Sequence, residues 1–70
     1  MNVIKTDKWR LDWCAHRLKL IHILGHYLKI EWTDVYGVWR YTETRHENNI
    51  EKALRSVIDD AIDEERKPWW

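Results

Sequence analysis

The sequence predicts an α+β fold in the order helix, β-hairpin, helix, with room for a short N-terminal edge strand beside the hairpin. Three observations predict it. Residues from Tyr27 to Thr44 alternate apolar and polar on both sides of Asp-Val-Tyr-Gly, the pattern of two strands joined by a tight turn. Ile50, Ala53, Leu54, Val57, Ile58, Ala61 and Ile62 form one stripe at helical spacing. Trp9, Trp13, Leu20 and Leu24 share a helical face, with Leu11, Cys14, Leu18 and Ile21 beside it.

The hairpin can be given a register from its side chains. A four-residue loop, Asp34 to Gly37, closed by Thr33 and Val38, sets Trp32 opposite Trp39, Ile30 opposite Tyr41 and Leu28 opposite Glu43. Every large apolar residue then shares one face, and Glu31 meets Arg40 on the other. Aromatic and opposite-charge pairs each contribute about 0.2–1 kcal/mol. A slip of one residue would send Trp39 and Tyr41 to the far face. Gly37 supplies the positive φ that ends such loops. A lone ribbon is marginal in water, so the flanking helices are its expected cover.

The first helix is expected to start at a cap on Thr6 or Asp7 and to end at Gly25 as its C′ residue. A dense apolar run is ambiguous by periodicity, and the alternative ends the helix near His16 and makes Leu18–Leu24 a buried strand. The wide apolar arc implies burial against the hairpin, against the second helix or in a dimer. Residues 2–5 are β-prone and are candidates for the edge strand. Asn48 with Glu51 resembles a capping box for the second helix. Arg55 and Asp59 are spaced to pair on its outer face, and Pro68 stops it. The expected core is Trp13, Leu20, Leu24, Leu28, Ile30, Trp32, Trp39, Tyr41, Leu54, Val57, Ile58 and Ala61.

The 70 residues make a single domain, 1–70, of modest expected stability. Twelve Lys and Arg balance twelve Asp and Glu, so no overall field favours nucleic acid or an anionic membrane. Residues 1–46 nevertheless carry a net +3 and residues 47–70 a net −3, so the two halves can attract each other on folding. The single Cys14 excludes an internal disulfide and suits a reducing compartment. With neither a leader pattern nor an uncharged stretch of membrane-spanning length, a cytoplasmic protein is expected.

Chemistry-bearing motifs are few. His22 and His26 have the spacing of two ligands on a helix face, but Gly25 falls between them and no further ligand pair supports a metal. Cys14 and Ser56 lack a neighbouring base that could activate them. Only two glycines are present, too few for a phosphate-cradling loop. The chain is therefore expected to be neither an enzyme nor the holder of a cofactor or metal.

Binding surfaces remain. Six Trp and three Tyr in so short a chain favour protein contacts, where such residues dominate affinity. The candidate contacts are Val35 and Tyr36 at the loop tip, Trp69 and Trp70, and the acidic group Asp59, Asp60, Asp63, Glu64 and Glu65. Lys5, Lys8, Arg10, Arg17, Lys19, Lys29 and Arg40, with an aromatic stacking on a base, make nucleic-acid binding the alternative. A structural subunit of an obligate oligomer, such as a homodimer, is a third reading.

A very short, Trp-rich chain with one domain, no catalytic motif and no targeting signal resembles small phage-encoded accessory proteins. The resemblance implies a protein that binds and modulates one bacterial host component, in the manner of host polymerase inhibitors and anti-CRISPR proteins. It assigns no site.

Overall fold

The computed structural model describes residues 6–66. The elements are α1 (Asp7–Arg17), β1 (Leu18–Leu24), β2 (Tyr27–Thr33), β3 (Trp39–Arg45) and α2 (Ile50–Arg66). The strands form one antiparallel sheet in the order β1-β2-β3, with β2 at the centre. The fold is thus α+β, with a three-stranded sheet in place of a lone hairpin. The expected edge strand at residues 2–5 lies outside the described residues, as do Lys5, Pro68, Trp69 and Trp70.

The third strand comes from residues expected to continue the first helix. Thr6 caps α1 as predicted, its Oγ1 accepting from the Trp9 amide at 3.2 Å. The helix stops at Arg17, and Leu18 is already extended. A helix running on to Leu24 would leave the edge of β2 unpaired. As a strand, the same residues satisfy that edge. Gly25 has φ 60° as the first residue of a two-residue turn between Leu24 and Tyr27, the place a type II′ turn reserves for glycine. Its positive φ serves a hairpin turn here, and not a helix cap. The strand is not buried, however: Leu20, Ile21, Ile23 and Leu24 are exposed.

The β2–β3 register also departs from expectation by one residue. Thr33 lies opposite Trp39, Trp32 opposite Arg40, Ile30 opposite Thr42 and Leu28 opposite Thr44. The cause is loop parity. The Asp34 amide bonds the Val38 carbonyl at 3.0 Å, so three residues, and not four, make the turn. Trp39 and Tyr41 consequently face away from the helices, and both are exposed. Glu31 lies opposite Tyr41 and cannot make the expected pair with Arg40.

The core is the inner face of β2 under α2. Leu28, Ile30, Trp32 and Val57 have no exposed surface, and Ala53, Ile58, Ala61 and Ile62 complete the cluster. Trp9, Trp13, Cys14, Leu18 and Leu54 pack around it. Trp13 meets Trp32 edge-on with ring centres 5.3 Å apart, and Trp32 Nε1 donates to Thr42 Oγ1 at 3.0 Å. Among the expected core residues, Leu20, Leu24, Trp39 and Tyr41 are outside it, because of the two corrections above.

Helix α2 starts one residue later than a capping box on Asn48 requires. Asn49 is the cap, its Oδ1 accepting from the Lys52 amide at 3.0 Å, while Asn48 takes a left-handed φ of 63°. Arg55 does not pair with Asp59. It makes a bidentate contact with Asp7 (3.0 and 3.1 Å) and a third bond to Glu51 (2.8 Å). Arg10 holds Asp59 in the same bidentate way, at 2.7 and 3.0 Å. Arg17 bonds Glu65 at 2.8 Å. These three interhelical pairs link residues 48, 49 and 48 positions apart. A nearly constant offset means that the helices run in the same direction, side by side.

Leu28→Ala should cost about 2–5 kcal/mol in urea unfolding, and Trp39→Ala within about 0.5 kcal/mol; the reverse order would contradict the register. The hydrogen bond from Arg55 leads the effects that hold the Asp7 carboxyl below its ordinary value of 3.8. A depressed folded pKa stabilises the fold above the unfolded value, and that contribution disappears as pH falls through the folded one. Acid titration by circular dichroism at low salt should therefore show stability falling below about pH 4, less steeply in Asp7→Asn.

Candidate binding surface at the β2–β3 tip

The turn between β2 and β3 is built on Asp34, whose side chain is nearly buried. Aspartate at the first position and glycine at the fourth are the signature of a type I turn. The Gly37 amide bonds the Asp34 carbonyl at 3.0 Å, and Gly37 takes φ 79° as expected. Asp34 Oδ1 also accepts from the amides of Tyr36 (2.9 Å) and Val38 (3.0 Å). One carboxylate oxygen thus holds two backbone donors of its own loop.

The other oxygen faces Arg40, with Nε 3.1 Å from Oδ2. Arg40 lies over the Trp32 ring at 5.7 Å and reaches Glu64 of α2 at 3.8 Å. It ties the turn to the core and to the second helix. Burial alone would raise the Asp34 carboxyl pKa. The Val38 and Tyr36 amides and the Arg40 guanidinium outweigh that and hold it below the ordinary range.

A turn held this way presents its apolar side chains in one arrangement. Tyr36 is 79% exposed and Trp39 60%, with Val35, Val38 and Tyr41 also exposed. Val38, Trp39, Arg40, Tyr41 and Glu64 line a shallow depression beside the tip. Lys29 lies over the Tyr41 ring at 5.4 Å. Exposed apolar side chains clustered on one surface, rather than scattered, mark interaction sites. Val35 and Tyr36 were predicted from sequence, whereas Val38, Trp39 and Tyr41 were not. The Asp34/Gly37 spacing was the signal that could have found them, because it sets the loop length and so the face.

The other predicted sites are dispersed. Asp59 and Glu65 are engaged by Arg10 and Arg17, and Glu64 lies near Arg40. Asp60 and Asp63 are exposed on α2. Of the basic set, Arg10, Arg17 and Arg40 are occupied by carboxylates, leaving Lys8, Lys19 and Lys29 as the described residues on which a phosphate reading rests. His22 lies in β1, 2.6 Å from Glu31, and His26 in the following turn, so they are not an i, i+4 helical pair. Cys14 is half-buried, and burial raises its thiol pKa, away from a reactive thiolate. A cleft of about 490 Å³ lies at the start of α2, lined by Arg45, His46, Asn49 and Lys52 among others. Both ring nitrogens of His46 are buried without a hydrogen-bond partner among the described residues. Among the described residues, no helix is long and apolar enough to cross a membrane.

No protein-family model, curated protein or solved structure matches this chain.

Amide hydrogen exchange can test the turn. The Tyr36 and Val38 amides should be protected at neutral pH. Asp34→Ala should abolish their protection, while Asp34→Asn, which keeps an acceptor oxygen, should retain most of it.

Proposed function

We propose that this chain is a small non-catalytic protein-binding module that docks through the β2–β3 tip. The observation that carries this reading is the preorganised turn, in which one nearly buried aspartate fixes a loop bearing exposed Val35, Tyr36, Val38 and Trp39. Rigid aromatic anchors lose little freedom on binding, so more of their contact energy appears as affinity. The resemblance to phage-encoded accessory proteins extends the proposal to a bacterial host protein as partner, of the polymerase or defence-complex kind. Nucleic-acid binding is less well supported, because three arginines assigned to it are neutralised within the fold. Trp69, Trp70 and the exposed acids Asp60 and Asp63 are secondary candidates for the same protein contact.

The test is affinity capture from a nuclease-treated bacterial lysate, read by mass spectrometry, with wild type and variants in parallel. One stoichiometric protein should be recovered by wild type. Tyr36→Ala and Trp39→Ala should each weaken its binding by roughly 30-fold, the effect of a 2 kcal/mol hot spot. Unchanged recovery by both variants would remove the tip as the site. Recovery of nucleic acid alone, in an untreated control, would favour the alternative.

A further inference from the structure

The two edges of the sheet differ in kind. Edge strand β3 carries Arg40, Glu43 and Arg45 among its seven residues. Charges of that sort keep an edge from pairing with another chain. Edge strand β1, Leu-Lys-Leu-Ile-His-Ile-Leu, carries only Lys19, displaced at a bulge between Leu18 and Leu20. Among the described residues β1 pairs with β2 alone. Leu20, Ile21, Ile23 and Leu24 are each 48–56% exposed. Ile21 lies opposite fully buried Ile30, and Ile23 opposite fully buried Leu28. Among the described residues, the apolar core therefore runs out to the β1 edge with nothing paired beyond it.

We propose that a second copy of this chain pairs along β1, antiparallel, about a two-fold axis normal to the sheet through His22. The result is one six-stranded sheet with all four helices on the same side. The occupant is argued from the strand's own pattern. A two-fold axis preserves the faces only where a residue lies opposite itself. Centred on His22, the pairing sets Ile21 opposite the partner's Ile23 on the helix side. On the open side it sets Leu20 opposite the partner's Leu24. Each apolar residue from 20 to 24 then meets an apolar residue, and Lys19 falls opposite the turn at Gly25. Centring on Ile21 instead would put Lys19 opposite Ile23 and Leu20 opposite His22. At the axis each His22 keeps its own Glu31 at 2.6 Å, so the two imidazoles meet with two carboxylates beside them. The strand pair is at the small end of interface sizes, so association is to be read at tens to hundreds of micromolar, on the order of a weak specific contact.

The experiment uses the full chain. Sedimentation equilibrium should show a concentration-dependent monomer–dimer equilibrium. Ile23→Lys should give a monomer with an unchanged circular dichroism spectrum, while Trp39→Ala should leave the dimer intact. In a Cys14→Ser background, His22→Cys should form an intermolecular disulfide on mild oxidation, because that residue faces its own copy. Leu24→Cys, which faces Leu20, should cross-link far less. A wild-type chain that stays monomeric up to about 2 mM, above the range expected for so small an interface, would overturn the proposal. So would a dimer unaffected by Ile23→Lys, or one cross-linked by Leu24→Cys in preference to His22→Cys. The β2–β3 tip is a separate surface, so none of these outcomes bears on the proposed function.

Discussion

An α-helix is about 10 Å across and neighbouring strands lie about 4.8 Å apart, so one helix covers two strands of a sheet and not three. The described residues form one long amphipathic helix and three strands. Helix α2 lies on β2 and β3, and the fully buried side chains are those of β2 and of the α2 stripe. Everything else in the fold adjusts to that limit. Helix α1 contributes no fully buried residue and closes the Trp32 end of the core with Trp9, Trp13 and Cys14. Strand β1 pairs its backbone with β2 but keeps its side chains half in water.

The charges hold the helices where apolar area is scarce. The basic N-terminal part and the acidic C-terminal part meet along the α1–α2 seam as Arg10–Asp59 and Arg17–Glu65, with Arg55–Asp7 in the opposite sense. Bidentate arginine–carboxylate contacts set direction and register as well as attraction. They also explain how α2 tolerates so many acids toward its C-terminus. Two of them receive guanidinium groups from α1, which compensates for the unfavourable helix dipole.

Arg40 links the core to the candidate binding surface. It sits between the buried Trp32 ring, the Asp34 turn and Glu64, so the shape of the tip depends on the packing beneath it. If β1 joins two copies, each dimer carries two such tips on one rigid sheet. A target with two matching sites would then be held with an avidity beyond either contact alone.

Local chemistry made much of this fold legible in the sequence. The α2 stripe, β2, β3, the Thr6 cap and the positive φ at Gly37 all depend on residues within a turn or two of each other. The exposure of Val35 and Tyr36 at the turn was legible in the same way. What the tertiary structure alone decided depends on partners far away in the chain. Leu18–Leu24 is equally apolar as helix or strand, and only the vacant edge of β2 selects the strand. The hairpin faces hinged on a single loop residue, because side chains alternate with period two. Asp34 chose the shorter loop by capturing two amides, and that placed Trp39 and Tyr41 on the open face of the sheet, next to the loop that carries exposed Val35 and Tyr36. The ion pairs were equally hidden, since Asp7 and Arg55 are distant in sequence and meet only when the two helices lie parallel over the sheet.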